Sequence, residues 1–217
     1  MPVQVIAFDL DGTLIDSNRI KRQGFDHTFS EFDGSAEVVE SVLQQHRKAF
    51  RTTVIQLVLE KLYALGQPDA EPTATRVAEL AERYNRFCID GASTCPEMPG
   101  AAAALADLKS QFPLFINTAT SHAAVDEIIG RRGWKSHFTG LFGYPPDKVN
   151  NIKAIAQAAG VEVSSVLVVG DDDQDRLAAE ACDCPFIAVT GPTAHFTCLP
   201  DLAATHLNQL SLFIQKL

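Results

Sequence analysis

Val3-Gln4-Val5-Ile6-Ala7-Phe8-Asp9-Leu10-Asp11-Gly12-Thr13 is the stretch on which the reading of the whole chain turns. Its first six residues form a short apolar, β-branched run, the composition of a strand buried in a sheet. The run ends at Asp9 and passes into Asp11-Gly12, a turn pair. Residues two apart leave a strand on the same side, so Asp9 and Asp11 are expected together beyond its carboxyl end. One carboxylate of such a pair can attack while the other manages the proton, the division of labour that covalent acyl-phosphate chemistry needs. Gly12 permits the tight turn that follows. A turn that merely closes a strand is the bland alternative, and the second aspartate weakens it.

Beyond this strand the character changes. From Ser17 to Pro96 apolar residues recur at helical spacing, as in Val38, Val39, Val42 and Leu43, then Val54, Ile55, Val58, Leu59 and Leu62. Leu65-Gly66 with Pro68 and Pro72 ends one helix, and Arg76 to Phe87 supplies another. After Met98-Pro99-Gly100 helices and strands alternate. Helices are expected over Ala101 to Lys109, Ala123 to Gly130, Val149 to Ala159 with Gly160 as C-cap, and Gln174 to Ala181. Strands are expected at Leu114 to Thr118, near Phe138 to Phe142, at Ser165 to Val169 and at Phe186 to Val189. The tail from His206 to Leu217 reads as an edge strand or a helix. Continuous apolar strands alternating with helices imply a parallel sheet covered on both faces, with right-handed crossovers. The sequence therefore predicts an α/β core of residues 1–16 and 97–217, interrupted by an all-α insertion, residues 17–96. Ligands of open parallel sheets bind beyond the carboxyl ends of the strands. An insertion placed just after the first strand is thus expected to serve as a lid.

The 217 residues suffice for one substantial core and a smaller accessory domain. Hydrophobic content of 46% and charged content of 21% are those of an ordinary globular chain. The net charge of -9 argues against nucleic acid and anionic membrane as partners, because like charge opposes approach. A small anionic substrate stays open, provided that the site brings a cation. The five cysteines are odd in number and lack paired spacing, which disfavours a disulfide framework or a structural zinc site. Cys182 and Cys184 read as small buried hydrophobes. No basic leader precedes the first strand and no uncharged run approaches a membrane span, so a reducing cytoplasm is expected.

Three further segments fall on the same predicted sheet edge. Gly170-Asp171-Asp172-Asp173-Gln174-Asp175 follows an apolar strand, and carboxylates this dense repel one another unless a cation sits among them. With Asp9 they make an oxygen-rich site suited to magnesium. An acidic helix N-terminus would account for one or two of them, Asp172 and Asp173 foremost. Thr118, followed by Ala119 and Thr120, ends a predicted strand; its hydroxyl and adjacent N–H groups can hold a phosphoryl oxygen, or cap a helix. Lys148 falls in the first turn of a helix, where the dipole disfavours a cation; neutralising a phosphate and Asp9 would explain it. Lys153 is its rival, and a solvated lysine the bland alternative.

Taken in order, these segments resemble the four motifs of the haloacid dehalogenase-like hydrolases. Asp9-x-Asp11-Gly12-Thr13 is similar to the first, Thr118 to the second, Lys148 to the third and Gly170-Asp171-x-x-x-Asp175 to the fourth. The likeness spans essentially the whole chain. The insertion resembles the helical cap of the phosphoglycolate phosphatase-like subfamily, as does Ala178 to Cys182 followed by Pro185 to Val189. The resemblance implies a doubly wound Rossmann-like core and a magnesium-dependent phosphatase acting on a small phosphorylated metabolite. It implies Asp9 as nucleophile and Asp11 as general acid and base. Magnesium would be held by Asp9, the Asp11 carbonyl and Asp171, with Asp175 close by. Thr118, Ala119 and Lys148 would bind the phosphoryl group. Asp11 also favours ester hydrolysis over dehalogenation or phosphonate cleavage, since relatives with those activities lack an acid there. Two departures stand out: Val149 follows Lys148 where many relatives have proline, and Ala119 follows Thr118 where asparagine is usual, which makes Thr120 the rival phosphate contact. A sugar phosphomutase and a non-catalytic binding protein are the alternative readings. The substrate is not named by the sequence, and a monomer or a homodimer is equally compatible with it. Of the cationic residues in the insertion (Lys21, Arg22, Arg47, Lys48 and Arg51), Arg47 or Arg51 is expected to meet the leaving group.

Overall fold

The computed structural model describes residues 2–46, 49–191, 194–198 and 200–217. Arg47, one of the two candidates for a leaving-group contact, and Lys48 lie outside these. The chain divides into two compact units, residues 1–18 with 92–217, and residues 19–91.

The larger unit is built on a sheet of order β3-β2-β1-β4-β5-β6, in which every pairing is parallel. The strands are β1 (Val5–Phe8), β2 (Leu114–Ser121), β3 (Gly140–Tyr144), β4 (Val166–Gly170), β5 (Phe186–Val189) and β6 (Ala203–Ala204). Because successive side chains point to opposite faces, Val5 and Ala7 of β1 share one face with Val166 and Val168 of β4. There they pack with Ile152, Ile155, Ala178 and Ala179. Ile6, Phe8, Leu167 and Val169 point the other way and are equally buried. Both faces are therefore covered, as the continuous apolar runs implied. Each fully buried aliphatic side chain contributes about 1.5–3 kcal/mol relative to exposure.

The helices are α1 (Asn18–Thr28), α2 (Ser35–Gln45), α3 (Arg51–Ala64), α4 (Ala74–Thr94), α5 (Ala101–Leu108), α6 (His122–Arg131), α7 (Lys148–Ala159), α8 (Asp173–Glu180) and α9 (Leu210–Ile214). Gly160, at φ 68°, caps α7, its N–H reaching the carbonyls of Ala156 and Gln157. The smaller unit has its own core, in which Phe25, Phe29 and Phe32 meet Val39, Val42, Ile55, Leu59, Leu62, Leu80 and Tyr84. Two chain crossings join the units, and the segments flanking them pair inside the larger one. Asp16 N donates to Pro96 O and Met98 N to Leu14 O, both at 2.9 Å.

Several boundaries differ from the sequence-based expectation. β2 runs on to Ser121 rather than ending at Thr118, through a register irregularity against β3 between Asn117 and Ser121. The polar residues Thr118, Thr120 and Ser121 hid that extension. β3 begins at Gly140 and reaches Tyr144. The tail forms the short helix α9, and the two-residue strand β6 precedes it. Cys182 is buried as expected, whereas Cys184 is only half-buried, and the burial it has pushes its thiol up to about 12. Among the described residues no helix is long and apolar enough to cross a membrane.

Candidate active site

From β1 the chain winds outward through β2 and β3, and later from β4 through β5 to β6 in the opposite direction. The order reverses between β1 and β4, which pair directly from Val5 with Val166 to Phe8 with Val169. Such a switch point opens a crevice beyond the strands' carboxyl ends. Asp9 follows β1, with its N–H donating to Val169 O at 2.8 Å, and Asp171 follows β4.

Asp9, Asp171 and Asp175 are all buried, and each offers a carboxylate oxygen within 4.8 Å of the others'. Two glycines make room for them. Gly12 has φ +82°, and a Cβ on it would lie 2.0 Å from Asp171 Oδ2. A Cβ on Gly170 would lie 2.2 Å from Asp175 Cγ. Asn18 Nδ2 donates to Asp171 Oδ2 at 3.1 Å. The other two carboxylates of the acidic run have local uses. Asp172 caps α8, accepting from the N–H groups of Gln174 at 2.8 Å and Asp175 at 3.2 Å. Asp173 pairs with Arg176 Nε at 2.8 Å and accepts from the Thr197 hydroxyl at 2.7 Å.

Lys148 opens α7, whose N-cap Asp147 accepts from Asn150 N at 2.8 Å. Its Nζ donates to Asp9 Oδ1 at 3.0 Å and to Asp175 Oδ1 at 2.6 Å, with the side chain only 10% exposed. Burial alone would lower the pKa of this ammonium; Asp175, Asp9 and Asp172 override it and hold the value above the ordinary lysine range. Lys153, the rival, is exposed. Burial first, then the charges of Asp9 and Asp172, raises the Asp171 carboxyl to about 7. Burial likewise holds Asp175 well above the usual carboxylate range, and Lys148 only partly offsets it. Asp175 Oδ2 is buried with no hydrogen-bond partner. One ammonium among three buried carboxylates, one of them with an unpartnered oxygen, is a donor set short of positive charge. An all-oxygen group of this kind fits a hard divalent cation.

Asp11 has different surroundings. Its Oδ1 accepts from the Ser17 hydroxyl at 2.5 Å and its Oδ2 from the Thr120 hydroxyl at 2.6 Å. Thr118, buried, connects to this group through Thr120, whose N–H donates to Thr118 Oγ1 at 3.2 Å. Ala119 is exposed beside them. The structure thus brings Asp9, Lys148, Asp171 and Asp175 into one cluster and sets Asp11 with Thr120. Sequence reasoning missed Ser17 and Asn18. The only signal for them was the polar run Asp16-Ser17-Asn18 after apolar Leu14-Ile15.

Comparison with known proteins finds relatives that span nearly the whole chain. The phosphoglycolate phosphatase of Neisseria meningitidis is 27% identical over 220 residues, covering 94% of this chain and 87% of that protein. That of Vibrio parahaemolyticus is 24% identical and covers 96% of this chain and 94% of its own. Among solved structures, CbbY from Rhodobacter sphaeroides, in complex with phosphate, superposes with a TM-score of 0.73 at 18% identity, covering 99% of this chain and 100% of that one. YfnB from Bacillus subtilis, a hydrolase bound to magnesium, gives a TM-score of 0.72 at 16% identity with the same coverage. These structures share the fold. The family model of the haloacid dehalogenase-like hydrolases matches residues 3–183, a span that takes in both aspartate-bearing strand ends and Lys148, and the chain belongs to that family.

Proposed function

We propose that the protein is a magnesium-dependent phosphatase that hydrolyses a small phosphate monoester through an aspartyl-phosphate on Asp9. The observation that carries this reading is the contrast between Asp9 and Asp11. Asp9 lies against Lys148 and the buried carboxylates, whereas Asp11 accepts from two hydroxyls. Two carboxylates in unlike environments suit two different roles. The relatives named phosphoglycolate phosphatase support the substrate class.

In this reading an Asp9 carboxylate oxygen forms a bond to phosphorus as the ester P–O bond breaks, and Asp11 gives its proton to the departing alkoxide. Asp11 then takes a proton from water, whose oxygen attacks the acyl phosphate, and the bond from phosphorus to Asp9 breaks. The products are inorganic phosphate and the restored carboxylate. Lys148 and the hydroxyl and N–H groups around Thr118 and Ala119 hold the transferred phosphoryl group, placing it against Asp9. Asp9, Asp171 and Asp175, with the Asp11 carbonyl, would hold the divalent cation, which supplies positive charge against the carboxylates and the phosphoryl oxygens. The helical unit, inserted after the first strand, acts as a cap that selects the leaving group. A reducing cytoplasmic setting belongs to the same reading.

The test is hydrolysis of a panel of phosphate monoesters with and without magnesium, wild type against Asp9→Asn. Magnesium-dependent turnover that disappears in Asp9→Asn is the expected result. Turnover that survives the substitution, or needs no divalent cation, contradicts the proposal.

A further inference from the structure

Asn117 sits inside β2, an interior strand, and is 1% exposed, next to buried Phe115 and Ile116. Interior positions of a parallel sheet favour apolar side chains, and a buried amide is costly unless its groups are bonded. Its Nδ2 donates to the main-chain carbonyl of Lys148 at 3.2 Å, while its Oδ1 is buried with no partner. That carbonyl lies in the first turn of α7, where the helix ladder offers it an amide donor four residues on. The asparagine bond is therefore an addition to backbone satisfaction rather than a requirement of it. A second asparagine repeats the pattern. Asn151 of α7, 0% exposed, donates from Nδ2 to Gly143 O of β3 at 3.4 Å, and its Oδ1 is also buried without a partner. Packing explains neither residue, since an aliphatic side chain would fill each place without leaving an acceptor unpaired.

The two bonds have the first turns of α7 in common. One ties the helix to β2 and the other to β3, just where the pairing of those strands becomes irregular beyond Asn117. From that turn Lys148 must deliver Nζ between Asp9 and Asp175, at 3.0 and 2.6 Å. A displacement of the main chain by about 1 Å is enough to spoil such a placement. We infer that Asn117 is a positioning residue that fixes the main chain of Lys148 and thereby its ammonium. The phosphatase reading enters only in the consequence for turnover.

The test uses Asn117→Leu, which keeps the number and branching of the side-chain heavy atoms, at a larger volume, and removes both the donor and the unpaired acceptor. Reductive methylation followed by peptide mass spectrometry gives the modification rate of Lys148 relative to exposed Lys153. The variant is expected to lose about tenfold of the protection of Lys148, with kcat on p-nitrophenyl phosphate reduced about ten- to a hundredfold and KM little changed. Its unfolding midpoint is expected to stay near that of the wild type, because removal of an under-bonded amide from the core offsets the cost of the larger side chain. An unaltered Lys148-to-Lys153 ratio, whatever the midpoint, overturns the inference. Asn117→Ser, too short to reach the carbonyl, gives the same readout if the leucine variant does not fold. A wild type without turnover counts against the phosphatase reading alone, since the methylation ratio needs no substrate.

Discussion

The Thr120 hydroxyl donates to Asp11 Oδ2 at 2.6 Å, joining the far end of β2 to the second aspartate after β1. Read as sequence, Thr120 was a rival to Thr118 for phosphate; in the structure its hydroxyl is engaged by the proposed proton carrier. A hydrogen bond of this kind contributes about 0.5–1.5 kcal/mol, and more when its acceptor is charged. Thr120→Val is therefore expected to lower kcat about tenfold or more, at 1.36 kcal/mol per decade, while Thr120→Ser stays near wild type. Steady-state kinetics on one substrate checks this. A raised KM with unchanged kcat would assign the hydroxyl to phosphate binding instead.

Lys148 carries the one positive charge in contact with both Asp9 and Asp175 among the described ion pairs. Removing one partner of a buried pair costs about 3–5 kcal/mol, because the other charge is left buried. Lys148→Met should lower the unfolding midpoint in the presence of a chelator, and magnesium should recover part of the loss. Thermal melts with chelator and with magnesium, on wild type and variant, give the comparison. Equal losses under both conditions would separate Lys148 from the cation site.

Gly12 and Gly34 both have positive φ, +82° and +66°, but only at Gly12 would a Cβ strike a side chain, Asp171 Oδ2 at 2.0 Å. Around Gly34 nothing lies within 4 Å. Alanine at either should cost about 1–2 kcal/mol for the left-handed backbone. Gly12→Ala should in addition weaken magnesium binding about ten- to a hundredfold by displacing Asp171, an effect the size of other losses in ligand support. Isothermal titration of magnesium into both variants isolates the contact from the backbone term.

The Thr197 hydroxyl and N–H, together with Arg176, hold the Asp173 carboxyl down at about 2, below its ordinary 3.8. A depressed folded-state pKa stabilises the protein above the unfolded value and loses that effect as pH falls through the folded one. Asp173→Asn is thus expected to be less stable than wild type at neutral pH. The difference should shrink between about pH 4 and pH 2. Denaturant melts across that range test it, and a difference independent of pH contradicts the pairing.

What could be read from the sequence follows the range of each signal. β4 and β5 were visible because their residues are continuously apolar, and β1 because it stops at two aspartates. Asp171 and Asp175 stood out for the same reason, as an excess of charge directly after a strand. The far end of β2 is masked by the hydroxyl residues Thr118, Thr120 and Ser121, and β6 is two residues long. α1 begins Asn18-Arg19-Ile20-Lys21-Arg22-Gln23, too polar to show a period until Phe25. The contacts of Asn18 with Asp171, and of Asn117 with Lys148, join residues 153 and 31 apart and leave no trace in local pattern. Asn117 did carry a weak signal, an amide in an apolar strand run. Only the fold says what it touches.

The account turns on Asp9 as the group that carries the phosphoryl. The most direct measurement is to quench the enzyme in turnover, reduce it with borohydride and map the peptides by mass spectrometry. Homoserine at position 9, absent without substrate, is the result the account predicts. Turnover with no reduced product at Asp9, or with the product at Asp11, Asp171 or Asp175, would contradict it.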